Sequence, residues 1–172
     1  AKANIPIDKQ SSIISFIKVA INRLETLLDG VFMLQEATQK ASSKVTSFGE
    51  VLSSKIITAI FNENGIKTRH INGRECIQID HLNGRIDVQW EATSQKVNAY
   101  FSEKFEGVSL VPGYIAHNTK GEIATLGRGG SDFTAAILAK ILKAEVLEIW
   151  TDVSGMFTSN PKLVSQAQPI QQ

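Results

Sequence analysis

The apolar period of the sequence changes at Gly65, and that change limits the fold more than any other feature. Before it, Ile13, Ile17, Ala20, Leu24 and Leu27 recur at steps of three and four, one face of an amphipathic helix. Ser11 or Ser12 is placed to cap its start. Asp29-Gly30 is expected to interrupt it, leaving a short helical piece over residues 31–37. Ser42 and Ser43 then open a further helix with an apolar face of Val45, Phe48, Leu52, Ile56 and Ile60. Asn64-Gly65 stops it, with Gly65 suited to the left-handed position past a helix end.

After Gly65, strand-like and helix-like patterns alternate. Residues 66–71 read as a strand, Asn72-Gly73 as a turn, residues 75–79 as another strand and residues 82–84 as another turn. Trp90, Thr93, Val97 and Phe101 restore a helical period, and Trp90, Tyr100 and Phe101 are expected in the core. Residues 108–111 suit a buried strand, and residues 114–116 and 122–125 the two arms of a hairpin around Lys120-Gly121. Residues 131–143 form a helix apolar nearly all round, hence buried. Residues 146–150 read as a strand, and residues 161–172 show no pattern. Alternation of this kind argues for an α/β domain with a largely parallel sheet. Ligands in such sheets bind where strands end and helices begin, here after Ala124 and after Trp150.

Composition removes several function classes. The 172 residues suit one domain, and 42% hydrophobic against 20% charged residues gives material for a core. A formal net charge of +1 argues against a nucleic-acid binder, although a local basic cluster could still hold a small anion. The one cysteine, Cys76, permits no internal disulfide and no cysteine-rich metal site; it is expected buried and inert in a strand. His70, His81 and His117 lack metal-ligand spacing and read as surface or turn residues. No apolar run approaches the ~18 residues that span a bilayer, so no membrane partner is expected. Ala1-Lys-Ala-Asn-Ile5 has no signal-peptide core and no initiator Met, which suggests a processed or excised piece from the cytoplasm.

Three constellations could carry chemistry. Leu126-Gly127-Arg128-Gly129-Gly130-Ser131-Asp132 lies between a strand and a helix. Its glycines let backbone approach a ligand, the helix start favours an anion, and Arg128 adds a fork of donors. The alternative is a tight turn with an ordinary cap, in which Arg128 would have no purpose. The loop lacks the Gly-Lys-Ser/Thr of a Walker A motif, and Asp132 stands where a dinucleotide fingerprint needs glycine or alanine. Ile149-Trp150-Thr151-Asp152-Val153-Ser154-Gly155 ends a strand in polar groups, or simply caps a turn with Asp152. Ser47-Phe48-Gly49-Glu50 puts a glycine inside a helix, which costs about 1 kcal/mol against alanine and invites a reason. Glu50 lies off the middle of the apolar stripe, where it either meets a cationic group in a cleft or faces solvent.

Taken together, Gly113-Tyr114-Ile115-Ala116, the run from Thr125 to Asp132, the run from Ile149 to Gly155 and Asn160-Pro161-Lys162 resemble the core of the aspartate kinases. These belong to the amino-acid kinase superfamily, and Ser47-Phe48-Gly49-Glu50 is similar to their Ser-x-Gly-Glu helix. The resemblance implies a three-layer α/β/α domain truncated at both ends. Residues 1–42 would be the helical insertion and residues 43–165 the core of the substrate and nucleotide lobes. The family's opening Lys-Phe-Gly-Gly segment and its regulatory ACT domains have no counterpart here, so this piece is expected to be inactive alone.

By the resemblance, Glu50 takes the amino group of L-aspartate, and Arg128 its α-carboxylate with Ser131 beside it. Gly129 and Gly130 belong to the same substrate loop, Tyr114 is the aromatic near the substrate, and Asp132 is catalytic, orienting the reacting groups. Thr151, Asp152, Phe157 and Lys162 contact ATP; Phe157 stands where the family has Tyr, and Lys162 where it has Arg. The implied reaction moves the γ-phosphate of ATP, with Mg²⁺, to the β-carboxylate of L-aspartate, the first step toward lysine, threonine and methionine. A homo-oligomer, and lysine or threonine as feedback inhibitor, are implied with it; no metal ligand from the protein is. Other classes remain: a superfamily kinase for another acid, a non-catalytic module binding aspartate or nucleotide, or a nicotinamide-dependent oxidoreductase, which Asp132 disfavours.

Overall fold

The computed structural model describes residues 7–82, 84–151, 155, 157–160 and 163–170, with side chains from Ser12 onward. Two long helices come first, α1 (Ile7–Leu34) and α2 (Gln39–Glu63). Helix α1 runs unbroken through Asp29-Gly30, against the expected interruption. A lone glycine weakens a helix by about 1 kcal/mol, too little to break this one, although Phe32, Met33 and Leu34 beyond it are exposed.

Helix α2 begins earlier than Ser42, because Thr38 caps it: its Oγ1 accepts from the Ala41 N–H at 3.1 Å. The apolar face expected from Val45 to Ile60 is only half-buried; the fully buried positions are Ser43, Ser47 and Ser54. Small side chains let α2 sit close on its neighbours, and two of the hydroxyls are satisfied within the helix. Ser47 Oγ donates to Lys44 O at 2.7 Å and Ser54 Oγ to Val51 O at 3.1 Å. The helix ends as expected, with Gly65 at φ +78° and the Ile66 N–H returning to Phe61 O at 2.9 Å.

Beyond Gly65 the elements are β1 (Thr68–His70), α3 (Gly73–Cys76), β2 (Gln78–Leu82), β3 (Arg85–Val88), α4 (Trp90–Tyr100), β4 (Val108–Leu110), β5 (Ile115–Asn118), β6 (Ile123–Thr125) and α5 (Gly130–Leu142). One sheet pairs β1 with β4 in parallel; the other runs β3-β2-β5-β6. Strands β2 and β5 are parallel, and the β2–β3 and β5–β6 hairpins add antiparallel arms to the expected α/β scheme. The core gathers Ile77, Ile79, Val97, Ala116, Leu126 and Ile137 between this sheet and α4 and α5.

Several expectations need correction. Asn72-Gly73 opens a helical turn: Asn72 Oδ1 accepts from the Arg74 N–H at 3.2 Å, so Cys76 lies in α3 and not in a strand. Cys76 is fully buried, and burial pushes its thiol up to about 12. Strand β3, which the sequence reading did not include, pairs antiparallel with β2. Strand β4 is half-exposed, since β1 is its one partner in the sheet among the described residues. Helix α5 buries only Gly130, Thr134 and Ile137, leaving Phe133 and Leu142 at 38% and 37% exposure. Residues 146–150 form no strand and are exposed, because no described strand lies alongside to supply a hydrogen-bond ladder. Tyr100 and Phe101 pack on the core, but Trp90 is 41% exposed, with Lys140 Nζ 4.1 Å from its ring centroid. Among the described residues, no helix is long and apolar enough to cross a membrane.

Candidate functional site

The loop from β6 to α5 meets the turn before β5 because the two strands pair directly. Leu126 N–H donates to Tyr114 O at 2.8 Å, just outside the β5–β6 ladder. Tyr114 itself is left-handed, at φ +66°, where a bulky residue is uncommon. Its N–H donates to Thr134 Oγ1 at 3.1 Å, and that hydroxyl donates to Gly130 O at 2.8 Å. One buried threonine of α5 therefore ties the Tyr114 turn to the glycine loop.

The loop needs its glycines for two different reasons. Gly129 occupies the N-cap of α5 at φ +72°, a conformation most side chains resist. A Cβ on Gly130 would stand 2.9 Å from Leu126 Cβ and 3.0 Å from Tyr114 Cδ2, so the close approach itself excludes a side chain. With glycine at the N-cap, no side chain caps α5. The Gly130 N–H is taken by Gly127 O at 3.0 Å, while the N–H groups of Ser131 and Asp132, at the positive end of the helix dipole, stay available to an anionic ligand.

Glu50 completes the site from the opposite wall. A cleft of about 340 Å³ is lined by Glu50 of α2, Tyr114, Gly127, Gly129, Gly130, Ser131 and Asp132. Residues from three separate stretches of sequence thus face one hollow. Glu50 is half-buried and makes no ion pair with a described side chain. The charged lining residues, Glu50 and Asp132, are both carboxylates and suit an ammonium, while the free Ser131 and Asp132 N–H groups can donate to an anionic group, so the cleft suits a zwitterion.

Other expected site residues stand apart. Arg128 sits between two lining glycines, but its side chain is exposed and does not line the cleft. Thr151 is exposed, and Phe157 pairs with Pro169 in an isolated antiparallel bridge; neither lines the cleft. Asp152 and Lys162 lie outside the described residues.

The sequence reading missed the polar scaffold beneath Glu50. Arg74 Nη2 donates to Ser47 Oγ at 2.8 Å, one turn before Glu50 on α2. His117, expected at the surface or in a turn, is half-buried in β5. Its Nδ1 lies 2.6 Å from Arg74 O, an acceptor only, so Nδ1 carries the proton and Nε2 accepts from Lys96 Nζ at 2.5 Å. Burial and the Lys96 charge hold the imidazole below its usual pKa. His70 is likewise half-buried in β1, its Nε2 3.0 Å from Ser54 Oγ and its pKa lowered by burial and Lys55; His81 is exposed on β2. Lys40 joins the start of α2 to the β5–β6 turn through Glu122, at 2.6 Å. A histidine directly after the apolar pair Ile115-Ala116 was the sequence signal available for this scaffold. Among the described residues, no three His, Cys, Asp or Glu side chains are placed to hold a metal ion.

Comparison with known proteins agrees with this geometry. Lysine-sensitive aspartokinase 3 of Escherichia coli K12 is 33% identical over 153 residues, covering 86% of this chain and 34% of that protein. Aspartokinase 1, chloroplastic, of Arabidopsis thaliana is 34% identical over 161 residues, covering 91% of this chain and 28% of that protein. The chain thus spans about a third of the length of these relatives. In three dimensions it is similar to E. coli aspartokinase III in complex with aspartate and ADP, with a TM-score of 0.81 and 29% identity over 92% of this chain and 35% of that one. The complex of the same enzyme with lysine and aspartate gives a TM-score of 0.78 at 28% identity, over 93% of this chain and 36% of that one. The sequence matches the Amino acid kinase family over residues 10–172. A match over nearly the whole length, joined to the α/β fold and the glycine-loop cleft, means that the chain belongs to the amino acid kinase family.

Proposed function

We propose that this chain is the substrate-binding part of an aspartate kinase. The observation that carries the reading is the single cleft that joins Glu50, Tyr114 and the glycine loop at the start of α5. The similarity to an enzyme solved with aspartate and ADP points to the same ligands. In this reading residues 1–42 are a helical insertion and residues 43–165 the core of the substrate and nucleotide lobes.

Glu50 receives the ammonium of L-aspartate. Arg128, turned inward from its exposed position, takes the α-carboxylate, with Ser131 and the backbone of Gly129 and Gly130 beside it. Tyr114 closes one wall. Asp132, in the first turn of α5, orients the reacting groups. Thr151, Asp152, Phe157 and Lys162 hold the nucleotide. An oxygen of the β-carboxylate attacks the γ-phosphorus of ATP, and the bond from that phosphorus to the β–γ bridging oxygen breaks. The products are β-aspartyl phosphate and ADP. The acceptor is already an anion, so no general base is required, and catalysis consists of positioning and charge neutralisation. Mg²⁺ arriving with the nucleotide supplies part of that neutralisation at the phosphate oxygens. The broader assignments follow from the same reading: a cytoplasmic homo-oligomer, amino-acid biosynthesis leading to lysine and threonine, and feedback by one of those products.

The test is ADP release by the intact protein with and without L-aspartate, beside Glu50→Ala. Aspartate-dependent release that collapses in the variant is expected. Release that ignores aspartate, or a variant as active as its parent, would overturn the assignment.

A further inference from the structure

A second cavity, of about 710 Å³, opens between α1 and α2. Its apolar walls include Phe16, Val19 and Leu27 of α1 and Phe48 and Val51 of α2. Phe48 and Glu50 lie about 200° apart around the helix, so this hollow and the Glu50 cleft occupy different sides of α2. The volume falls within the range of organic-ligand sites, roughly 300–1,000 Å³.

Its charge is what singles it out. Arg23, Lys44 and Arg74 all line this apolar space. None has a carboxylate partner among the described residues, whose ion pairs are Lys40–Glu122 and Lys104–Glu106. Arg74 is under-used as a donor: Nη2 reaches Ser47 Oγ, while Nε is buried with no hydrogen-bond partner. Burying the Arg74 guanidinium beside an apolar hollow without a counter-charge is unfavourable for the empty protein, and that burial lowers its pKa. An incoming anion removes that penalty. The formal net charge of the chain is only +1, so the positive field is local to the cavity.

We propose that the α1–α2 cavity binds a small amphiphilic organic anion, its apolar body against Phe16, Leu27 and Phe48 and its anionic head among Arg23, Lys44 and Arg74. The site is independent of the aspartate assignment, since it shares no lining residue with the Glu50 cleft.

The test is a fluorescence titration of the intact protein, in excess ATP, with 8-anilinonaphthalene-1-sulfonate. Its uncharged analogue N-phenyl-1-naphthylamine is titrated in parallel. Saturable one-to-one binding of the sulfonate is expected. The double variant Arg23→Gln/Lys44→Gln should weaken it at least about tenfold while leaving the uncharged probe's affinity unchanged. Leu27→Trp, which fills the cavity, should exclude both probes, and Glu50→Gln should affect neither. Thermal melts confirm that each variant is folded. Sulfonate binding undiminished in the double variant, undiminished in Leu27→Trp, or absent in the parent would each overturn the proposal.

Discussion

Helix α2 separates two hollows of opposite sign. Toward the glycine loop it presents Glu50 to a cleft whose other charged lining residue is Asp132. Toward α1 it presents Lys44 and Phe48 to a cavity whose other charged lining residues are Arg23 and Arg74. The first hollow is built largely of backbone, with glycines and a bare helix start; the second is built of long side chains. A backbone site has little freedom to adjust and selects ligands by shape and hydrogen-bond direction. A side-chain site selects by charge and apolar area and tolerates more variety. Substitutions should therefore act sharply and locally in the first, gradually and through charge in the second.

The largest effect that would break this contrast is at Glu50. Glu50→Ala removes the one carboxylate that α2 presents to the cleft. A ligand ammonium left unpaired there weakens transition-state binding by about 2–5 kcal/mol, read as kcat/KM for aspartate. Sulfonate binding in the α1–α2 cavity should not move. If both fall together, the two hollows are coupled and the division along α2 is wrong.

Next in size is Gly130→Ala. Its Cβ would stand 2.9 Å from Leu126 Cβ and against the Tyr114 ring, with no flexible group to give way cheaply. Overpacking of this kind destabilises by about 1–3 kcal/mol, measurable as a lower urea midpoint at unchanged slope. Gly49→Ala is its control: nothing lies within 4 Å of the added Cβ, and α2 should gain slightly.

Thr134→Val tests the same cleft from beneath. The shape is kept, but the Tyr114 N–H loses its acceptor in a buried setting. A loss of about 1–3 kcal/mol is expected by chemical denaturation, with weaker aspartate binding as the Tyr114 turn relaxes. Weaker binding without any loss of stability would mean that Thr134 tunes the cleft without supporting it.

The sequence revealed the cleft better than the frame around it, for a physical reason. Gly129 and Gly130 are required by backbone conformation and close approach, and Glu50 lines the same cleft; such needs admit few residue types. They appear in the sequence as departures from an apolar pattern. The frame is decided by packing between distant segments. Continuation of α1 through Gly30 shows how small the helix penalty of one glycine is, and α3 replaces a strand because Asn72 finds the Arg74 N–H. The buried stripe of Ser43, Ser47 and Ser54 is invisible to a search for apolar periodicity. The exposed stretch 146–150 carries a strand's composition without a strand's neighbour, and pairing cannot be read from one segment alone. Arg128 shows the reverse: it stands within the glycine loop that lines the cleft, while its own side chain lies outside.

The smallest effect concerns the scaffold between the two hollows. His117 Nδ1–H donates to Arg74 O, and its Nε2 accepts from Lys96. Burial and Lys96 lower the folded-state pKa below the ordinary 6.5. The unfolded chain therefore takes up a proton at His117 before the folded protein does, and stability rises with pH across that interval. The contribution is fully present above about pH 6.5 and is lost as pH falls toward the depressed folded value, where His117 and Lys96 become neighbouring cations. His70, lowered by burial and Lys55, adds to the same slope. Urea denaturation of the parent between pH 7.5 and pH 5 should show this decline. His117→Gln, which keeps both hydrogen-bonding roles without titrating, should flatten part of it, and adding His70→Gln should flatten it further, leaving the carboxylates Glu75 and Glu122 to act at the acid end. An unchanged slope in both variants would place the acid sensitivity elsewhere.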